Sequence, residues 1–318
     1  MKARTWVVLV FVGLAVGGGL LFSNVVAPAL RDLGLSFASD AARIKGTIAV
    51  GGDNYLGYWF LSSREFTNRL RQRGYLVNWT NDQGDYAERH RKLADGKYDA
   101  IVLPINSYLF HGLAHRYPGV IPAALSESRG ADSIVGYADR LVADGSRSPT
   151  VNDLNNAGLK ICVTPDSPSE FLLHVAVAHF ALDDLKKKGP WEVSTRGSEE
   201  AYEKLQRKEC QVAVLWEPDV SKALTVPNVA AVFGSDQVAE MIVDVFVARR
   251  QWVKDSPDAV DAFFQSYFET IAHYSAQRDQ LLTEIARNPA LGSKEAAERA
   301  VSRIGWFMRS FFVAGAPS

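Results

Sequence analysis

Thr47-Ile48-Ala49-Val50-Gly51-Gly52-Asp53-Asn54-Tyr55 runs from an apolar strand into a polar turn, and a helical pattern follows it. Two later stretches repeat this design: Leu159-Lys160-Ile161-Cys162-Val163-Thr164-Pro165-Asp166-Ser167-Pro168-Ser169 and Val212-Ala213-Val214-Leu215-Trp216-Glu217-Pro218-Asp219. Strands that alternate with helices imply parallel sheets covered on both faces. In such sheets ligands settle just outside the carboxyl ends of the strands. Helix N-termini at those ends carry unpaired N–H groups and a partial positive charge. The chain therefore offers several polar strand ends spread over two halves, without an assembled catalytic set. That pattern favours gripping a small solute over transforming it.

Working outward, Leu56, Trp59, Phe60, Phe66 and Leu70 recur at helical spacing, with Gly74 as a stop. Tyr75 to Thr80, Tyr98 to Leu103 and Val120 to Leu125 read as strands, Asp85 to Asp95 as a helix, and a short helix is expected after Asn106-Ser107. Ser133 to Tyr137 reads as an extended crossing into a new unit. That unit holds a small helix at Pro149 to Asn156, a long helix at Ser167 to Leu185, and a strand, helix and strand at Trp191 to Leu215. Asn228 to Phe233 adds a strand, and Met241 to Ala248 reads as an apolar strand returning to the first unit. The rest is helical: Ser256-Pro257 opens a helix whose stripe includes Val260, Phe263, Tyr267 and Ile271, and Ser293 opens a last one with Ile304, Phe307 and Phe311 on one face. The expected organisation is an N-terminal segment at 1–30, lobe one at 45–136 plus 241–318, and lobe two at 137–240. Each lobe is expected to be a mainly parallel sheet flanked by helices, in an α/β two-lobe fold.

Lys2 and Arg4 precede an apolar run from Trp6 to Phe22, and no further charge appears until Arg31. This is the pattern of a signal peptide or membrane anchor, with the remainder outside the cytoplasm. Ala27-Pro28-Ala29 and Ser36-Phe37-Ala38 are small-x-small cleavage candidates, and residues from 31 on read as a stalk. A net charge of -1 with no long basic run argues against nucleic acid as a partner. Hydrophobic residues at 47% and charged residues at 22% indicate a globular chain. The exported compartment would allow Cys162 and Cys210 to bridge. However, Cys162 lies late in its strand and Cys210 just before the next, an offset of about 10 Å if the strands are parallel. Free thiols are therefore expected.

The phrases Gly52-Asp53-Asn54-Tyr55-Leu56-Gly57-Tyr58, Tyr98-Asp99-Ala100-Ile101-Val102, Asp132-Ser133-Ile134-Val135, Thr150-Val151-Asn152-Asp153-Leu154, Thr164 to Ser169 and Trp216 to Asp219 follow one another in a familiar order. At these residues, from about Lys45 to Arg309, the chain resembles the type II periplasmic solute-binding proteins of ABC transporters, in the branch of nitrate, sulfonate, taurine and thiamine-pyrimidine binders. The resemblance implies a ligand held between lobes, with Asp53, Asn54, Tyr55, Ser107 and Asp132 lining it from lobe one and Ser167, Ser169, Trp216 and Glu217 from lobe two. It further implies a small polar solute and an ABC transporter membrane permease as partners, and a periplasmic or extracytoplasmic location, with the inner membrane reached through residues 6–22 if that segment is retained. Ser167 and Ser169 at a helix start suit an anionic group. In contrast, Asp53, Asp82, Asp132, Glu217 and Asp219 crowd the same edge, which argues against a bare small anion and for a solute with a donor-rich or cationic part. Trp216, at a strand end, is expected to project into the space between the lobes.

Catalytic signatures are missing. His111 and His115 stand four apart, but Gly112 occupies the place where a zinc-protease motif has Glu. No Gly-x-Ser-x-Gly elbow or phosphate loop occurs. The reading is a non-enzymatic solute-binding protein that needs neither cofactor nor metal. The alternative is a membrane-tethered ligand sensor or envelope scaffold built on the same fold.

Overall fold

Ile48 and Val50 of strand β1 (Gly46–Gly52) are buried and Thr47 is exposed, which anchors the strand by one face before both faces are covered at its carboxyl end. The structure is a computed structural model, which describes residues 44–307. The expected signal or anchor at 1–30, the start of the stalk, and Phe311 lie outside the described residues. Among the described residues, no helix is long and apolar enough to cross a membrane.

Among the described residues, eleven strands form two sheets. The first has the order β11-β4-β10-β3-β1-β2, built from β1, β2 (Tyr75–Asn81), β3 (Ala100–Pro104), β4 (Gly119–Ser128), β10 (Val243–Arg249) and β11 (Ile304–Trp306). The second has the order β7-β6-β8-β5-β9, from β5 (Asp132–Tyr137), β6 (Ile161–Val163), β7 (Glu192–Ser194), β8 (Val212–Trp216) and β9 (Val229–Gly234). This is an α/β two-lobe architecture, but its sheets are mixed rather than mainly parallel. Each has a run of three parallel strands, β2-β1-β3 and β7-β6-β8, followed by antiparallel neighbours. In both, the first antiparallel neighbour is the strand that arrives from the other lobe: β5 beside β8, and β10 beside β3. A strand entering from the far side can join only by running back against its neighbours, a direction that hydrophobic patterning does not encode. The stretch expected as an extended crossing is thus an interior strand of the second sheet.

Local chemistry sets the helices. Ser63 accepts from Phe66 N–H to cap Arg64–Gln72, and Gly74 ends it at φ +89°. Asp85 caps Tyr86–Ala94 through Glu88 N–H. Phe263, Tyr267, Ile271 and Tyr274 of the Pro257–Ala276 helix pack on the first lobe's core, with Phe263 5.1 Å from Phe66 and 4.8 Å from Phe246 between ring centroids. On the second sheet, Leu172 and Leu173 of Pro168–His179 cover one face, and Ala201 and Leu205 of Ser198–Gln206 the other. Two expected helices are shorter than their apolar patterns. The one from Ser167 ends at His179, and the one from Ser293 ends at Ser302, after which Ile304–Trp306 pairs with β4.

The cysteine expectation is corrected: Cys162 and Cys210 form a disulfide, with Cα atoms 5.8 Å apart. Cys162 does lie opposite Ala213 in a parallel pair, so the count along the strands was sound. Cys210, however, is not on that line. The chain turns through 207–209 after its helix, and the N–H groups of Gln211 and Val212 both bond to Lys160 O, at 2.9 and 3.2 Å. Cys210 therefore lies on the sheet's face, in the buried cluster of Cys162, Ala201, Leu205 and Ala213.

Candidate functional site

The carboxyl end of β1 and the start of β5 meet at the junction of the lobes. After β1, Asp53 Oδ1 accepts from Tyr55 N–H at 3.0 Å, a short turn that sets Tyr55 and Tyr58 beside each other, rings edge-on at 5.2 Å. Gly57 is required here, because a Cβ would strike the Tyr55 ring and lie 2.7 Å from Ser126 Oγ. Tyr55, Tyr58, Tyr86, Asp132, Trp216 and Asp244 line a small pocket with a cavity volume of about 10 Å³, bounded by Pro104, Pro168 and Ile242. Its walls come from both lobes. Tyr55, Tyr58, Tyr86 and Asp244 belong to the first, and Asp132, Pro168 and Trp216 to elements of the second; Asp132, expected from lobe one, is instead the first residue of β5, because the crossing segment pairs into the second sheet.

Asp53, Asp82, Asp132 and Asp244 stand around this pocket, and they are held in two ways. Arg89, 0% exposed on the Tyr86–Ala94 helix, donates from Nη2 to Asp53 Oδ2 at 2.9 Å, from Nε to Asp82 Oδ2 at 2.7 Å and from Nη1 to Val102 O at 2.6 Å. Burial works against the guanidinium's charge, but Asp82 and Asp53 outweigh it and hold its pKa well above the ordinary value. Asp82 is raised by its own burial, an effect that Arg89 partly offsets.

Asp132 and Asp244, 2% and 1% exposed, have no such partner. Asp244 accepts from Tyr58 Oη at 2.5 Å and Ser126 Oγ at 3.1 Å. Burial pushes Asp244 up to about 8, with Tyr58 opposing and Asp132 and Asp53 adding to the shift. Burial likewise pushes Asp132 up to about 7, against Ser128 and with Asp53 and Glu217. The Tyr55 hydroxyl is buried without a hydrogen-bond partner; the nearby Ser128 hydroxyl is bonded to Ser235 Oγ at 2.7 Å.

Direct contacts clasp the lobes around the pocket. Trp216 Nε1 donates to Asn54 Oδ1 at 3.2 Å, and Leu56 N–H to Glu217 O at 3.1 Å. Arg303, which follows the Lys294–Ser302 helix of the first lobe, donates to Glu217 Oε1 at 2.6 Å, and Ser221 Oγ donates to the same oxygen at 2.9 Å. Gly197 permits the approach of the lobes on the other flank, since a Cβ there would lie 2.6 Å from Gln83 O.

The residues expected to form the site are thus only partly together. Tyr55, Asp132 and Trp216 line the pocket. Asp53 stands behind it, bonded to Arg89 and to Tyr86 Oη at 3.3 Å, and Asn54 bonds the Trp216 ring from an outer groove. Glu217 is taken up by Arg303 and Ser221. Ser107 and Ser167 face each other across a separate groove with Phe110 and His174. Ser167 Oγ donates to Thr164 O at 2.6 Å and caps its helix through Ser169 N–H, and Ser169 Oγ donates to Val214 O at 3.1 Å. Sequence reasoning missed Tyr58, Tyr86, Arg89, Asp244 and Arg303. Asp244 carried a signal: it is a lone charge within the apolar run Val243 to Val247. Among the described residues, no group of three or more His, Cys, Asp or Glu could hold a metal ion.

Two mixed α/β sheets, joined by strands that cross between them and closing a pocket at the junction, define the periplasmic-binding-protein fold. Solved structures agree. The alkanesulfonate-binding protein SsuA from Xanthomonas axonopodis pv. citri, bound to MOPS, matches with a TM-score of 0.66 at 14% identity, over 84% of this chain and 88% of that one. The periplasmic aliphatic sulphonate binding protein SsuA from Escherichia coli matches with a TM-score of 0.61 at 16% identity, over 82% and 80%. A Candida albicans gene product described as having the generic periplasmic binding protein structural fold matches with a TM-score of 0.66 at 10% identity, over 83% of each chain. No family model matches the chain, and no curated protein matches it. The resemblance read from the sequence therefore holds at the level of the fold.

Proposed function

We propose that this protein is an extracytoplasmic solute-binding protein that captures a small polar solute between its lobes and delivers it to the membrane permease of an ABC transporter. The observation that carries this reading is the junctional pocket, whose walls are supplied by both lobes: Tyr55 and Asp244 from one, Asp132 and Trp216 from the other. A solute touching both walls stabilises the closed state over the open one, which is how binding becomes a signal to a transporter. Tyr55, Asp132 and Trp216 contact the solute. Asp53, Asn54 and Glu217 hold the closed geometry around it, and Ser107, Ser167 and Ser169 stand at the rim and helix start beyond. The sulfonate-binding neighbours support a solute-carrying role. The Cys162–Cys210 bridge supports an oxidising, extracytoplasmic compartment, as does the charged-then-apolar N-terminus. The protein binds its solute without turning it over.

The test is mass spectrometry of the solute carried through purification, followed by calorimetric titration of the stripped protein with that solute. The reading expects one solute per chain, recovered unchanged. Recovery of a converted product, or failure to carry or bind any solute, overturns it.

A further inference from the structure

Resting on that solute-binding reading, we infer that the junctional pocket recognises a primary ammonium group, a head no larger than a water molecule, on a small organic solute, held between Asp132 of one lobe and Asp244 of the other and framed by the rings of Tyr55, Tyr58 and Trp216. The distribution of charge carries the inference. Both carboxyls line the pocket, and neither forms an ion pair among the described residues. The nearby cations are committed elsewhere: Arg89 to Asp53 and Asp82, and Arg303 to Glu217. An anion entering this pocket would meet two acidic groups and no free cation. A cation would meet two acceptors and aromatic faces, which attract positive charge most strongly where water is excluded.

A second observation points to a ligand independently. The Tyr55 hydroxyl, on a residue 7% exposed that lines the same pocket, has no hydrogen-bond partner. A buried polar group left unpaired is costly, so such a group marks a place where a partner belongs. An ammonium or its neighbouring hydroxyl supplies one. The charge preference is thus opposite to that of the sulfonate-binding proteins with which this chain shares its fold.

Binding carries a proton linkage. Asp244 faces Asp53, Asp132, Tyr55, Tyr58, Tyr86 and Tyr267, with Arg89 behind Asp53, and Asp132 faces Asp53, Asp244, Glu217, Tyr55 and Tyr86. The folded protein holds these two carboxyls protonated at mildly acidic pH. An arriving cation favours their ionised forms, so protons leave to solvent as the solute binds, and affinity rises with pH.

The experiment titrates the purified, solute-stripped protein with propylammonium and ethanesulfonate by calorimetry, at about pH 6 and about pH 8. Asp132→Asn and Asp244→Asn are measured alongside, with thermal melts to confirm folding; Asn reproduces the shape of the neutral carboxyl, and Trp216→Phe serves if either variant fails to fold. The expected result is binding of propylammonium that is tighter at the higher pH and releases protons, with about thirtyfold or greater loss in either Asn variant. Trp216→Phe should retain ammonium binding with reduced affinity. Binding of ethanesulfonate but not of propylammonium overturns the inference and leaves the solute-binding reading standing. Ammonium binding that is indifferent to both Asn variants and to pH also overturns it. If no probe binds and no solute accompanies the purified protein, both readings fall.

Discussion

Two pairs of carboxyls meet at the lobe junction: Asp53 with the half-buried Asp82, both from the first lobe, and the buried Asp132 and Asp244, one from each lobe; only the first pair has a cation. Arg89 gives Asp53 and Asp82 charge-assisted hydrogen bonds from Nε and Nη2 and donates from Nη1 to a backbone carbonyl. That group is a structural element, finished without a solute. Asp132 and Asp244 are accommodated differently: Asp244 accepts from two hydroxyls, and burial pushes both carboxyls up, to about 7 and about 8. The same residue type thus plays two parts, set by the presence or absence of one arginine. A buried, already neutralised carboxylate holds the frame, whereas an unneutralised one facing a pocket is available to a ligand.

The sharpest way to break this comparison is to remove the arginine. Arg89→Met leaves the buried Asp53 and the half-buried Asp82 unpaired, and should cost about 3–5 kcal/mol in a denaturant titration. Asp244→Asn, by contrast, should be close to neutral in the solute-free protein at acid pH, where the carboxyl is protonated folded and unfolded, and should not destabilise it at higher pH, since it removes no ion pair and does away with the titrating carboxyl. If the two variants cost the same, the division between the groups is wrong.

The disulfide sharpens a second contrast, between a stapled lobe and an unstapled one. Reducing Cys162–Cys210, or replacing both by Ser, should cost about 2–4 kcal/mol. The loss should appear as early exchange of amide protons in β6, β8 and the Ser198–Gln206 helix, with the first sheet protected. Uniform loss of protection across both sheets would show that the lobes unfold as one unit.

Arg303→Ala removes the ion pair that joins the first lobe's C-terminal region to Glu217. Hydrogen bonds to a charged, buried group are worth about 1.5–3 kcal/mol. Part of that should appear as a more open population, readable from Trp216 fluorescence, and part as lower Tm. An unchanged Trp216 signal would place Glu217 outside the clasp.

The smallest effect is in pH. Asp132 and Asp244 have their folded-state values raised to about 7 and about 8 from an ordinary 3.8. Their contribution to stability is therefore complete below the unfolded value and is lost as pH rises through the folded ones. His90 acts in the opposite sense at lower pH: burial lowers it from 6.5 to about 4, so its contribution grows up to pH 6.5 and is level above. Between pH 6.5 and 8 the carboxyl slope remains, and solute-free stability should fall there by on the order of 1–2 kcal/mol. Asp244→Asn should flatten most of that slope in melts across this range; an unchanged slope would assign the titration to other groups.

How much of this was legible in the sequence follows from what each residue's neighbours are. Tyr55, Asp132 and Trp216 were readable because they stand where apolar runs meet polar residues, and strand ends are where parallel sheets expose chemistry. Asp244 was marked only as a lone charge in an apolar run, and its role was hidden because which face such a charge takes depends on the strands on either side. Arg89 read as an ordinary helical surface cation. It becomes central only because Asp53 and Asp82, from the ends of two other strands, converge on it. Arg303 reaches Glu217 across 86 positions of sequence, with no local signal. The disulfide was misjudged for a related reason: the bend before β8 takes Cys210 off the strand axis, and strand offsets predict distances only where both residues are on strands.

The central claim is that a solute is gripped by both lobes at once, and small-angle scattering tests it most directly. The stripped protein is measured alone and then saturated with the solute it carries through purification, with saturation established by calorimetry on the same sample. The account predicts a smaller radius of gyration in the saturated state, with Trp216→Ala and Asp132→Asn both binding more weakly and compacting less. A radius that does not change while the solute is demonstrably bound would place the solute on a single lobe and contradict the account.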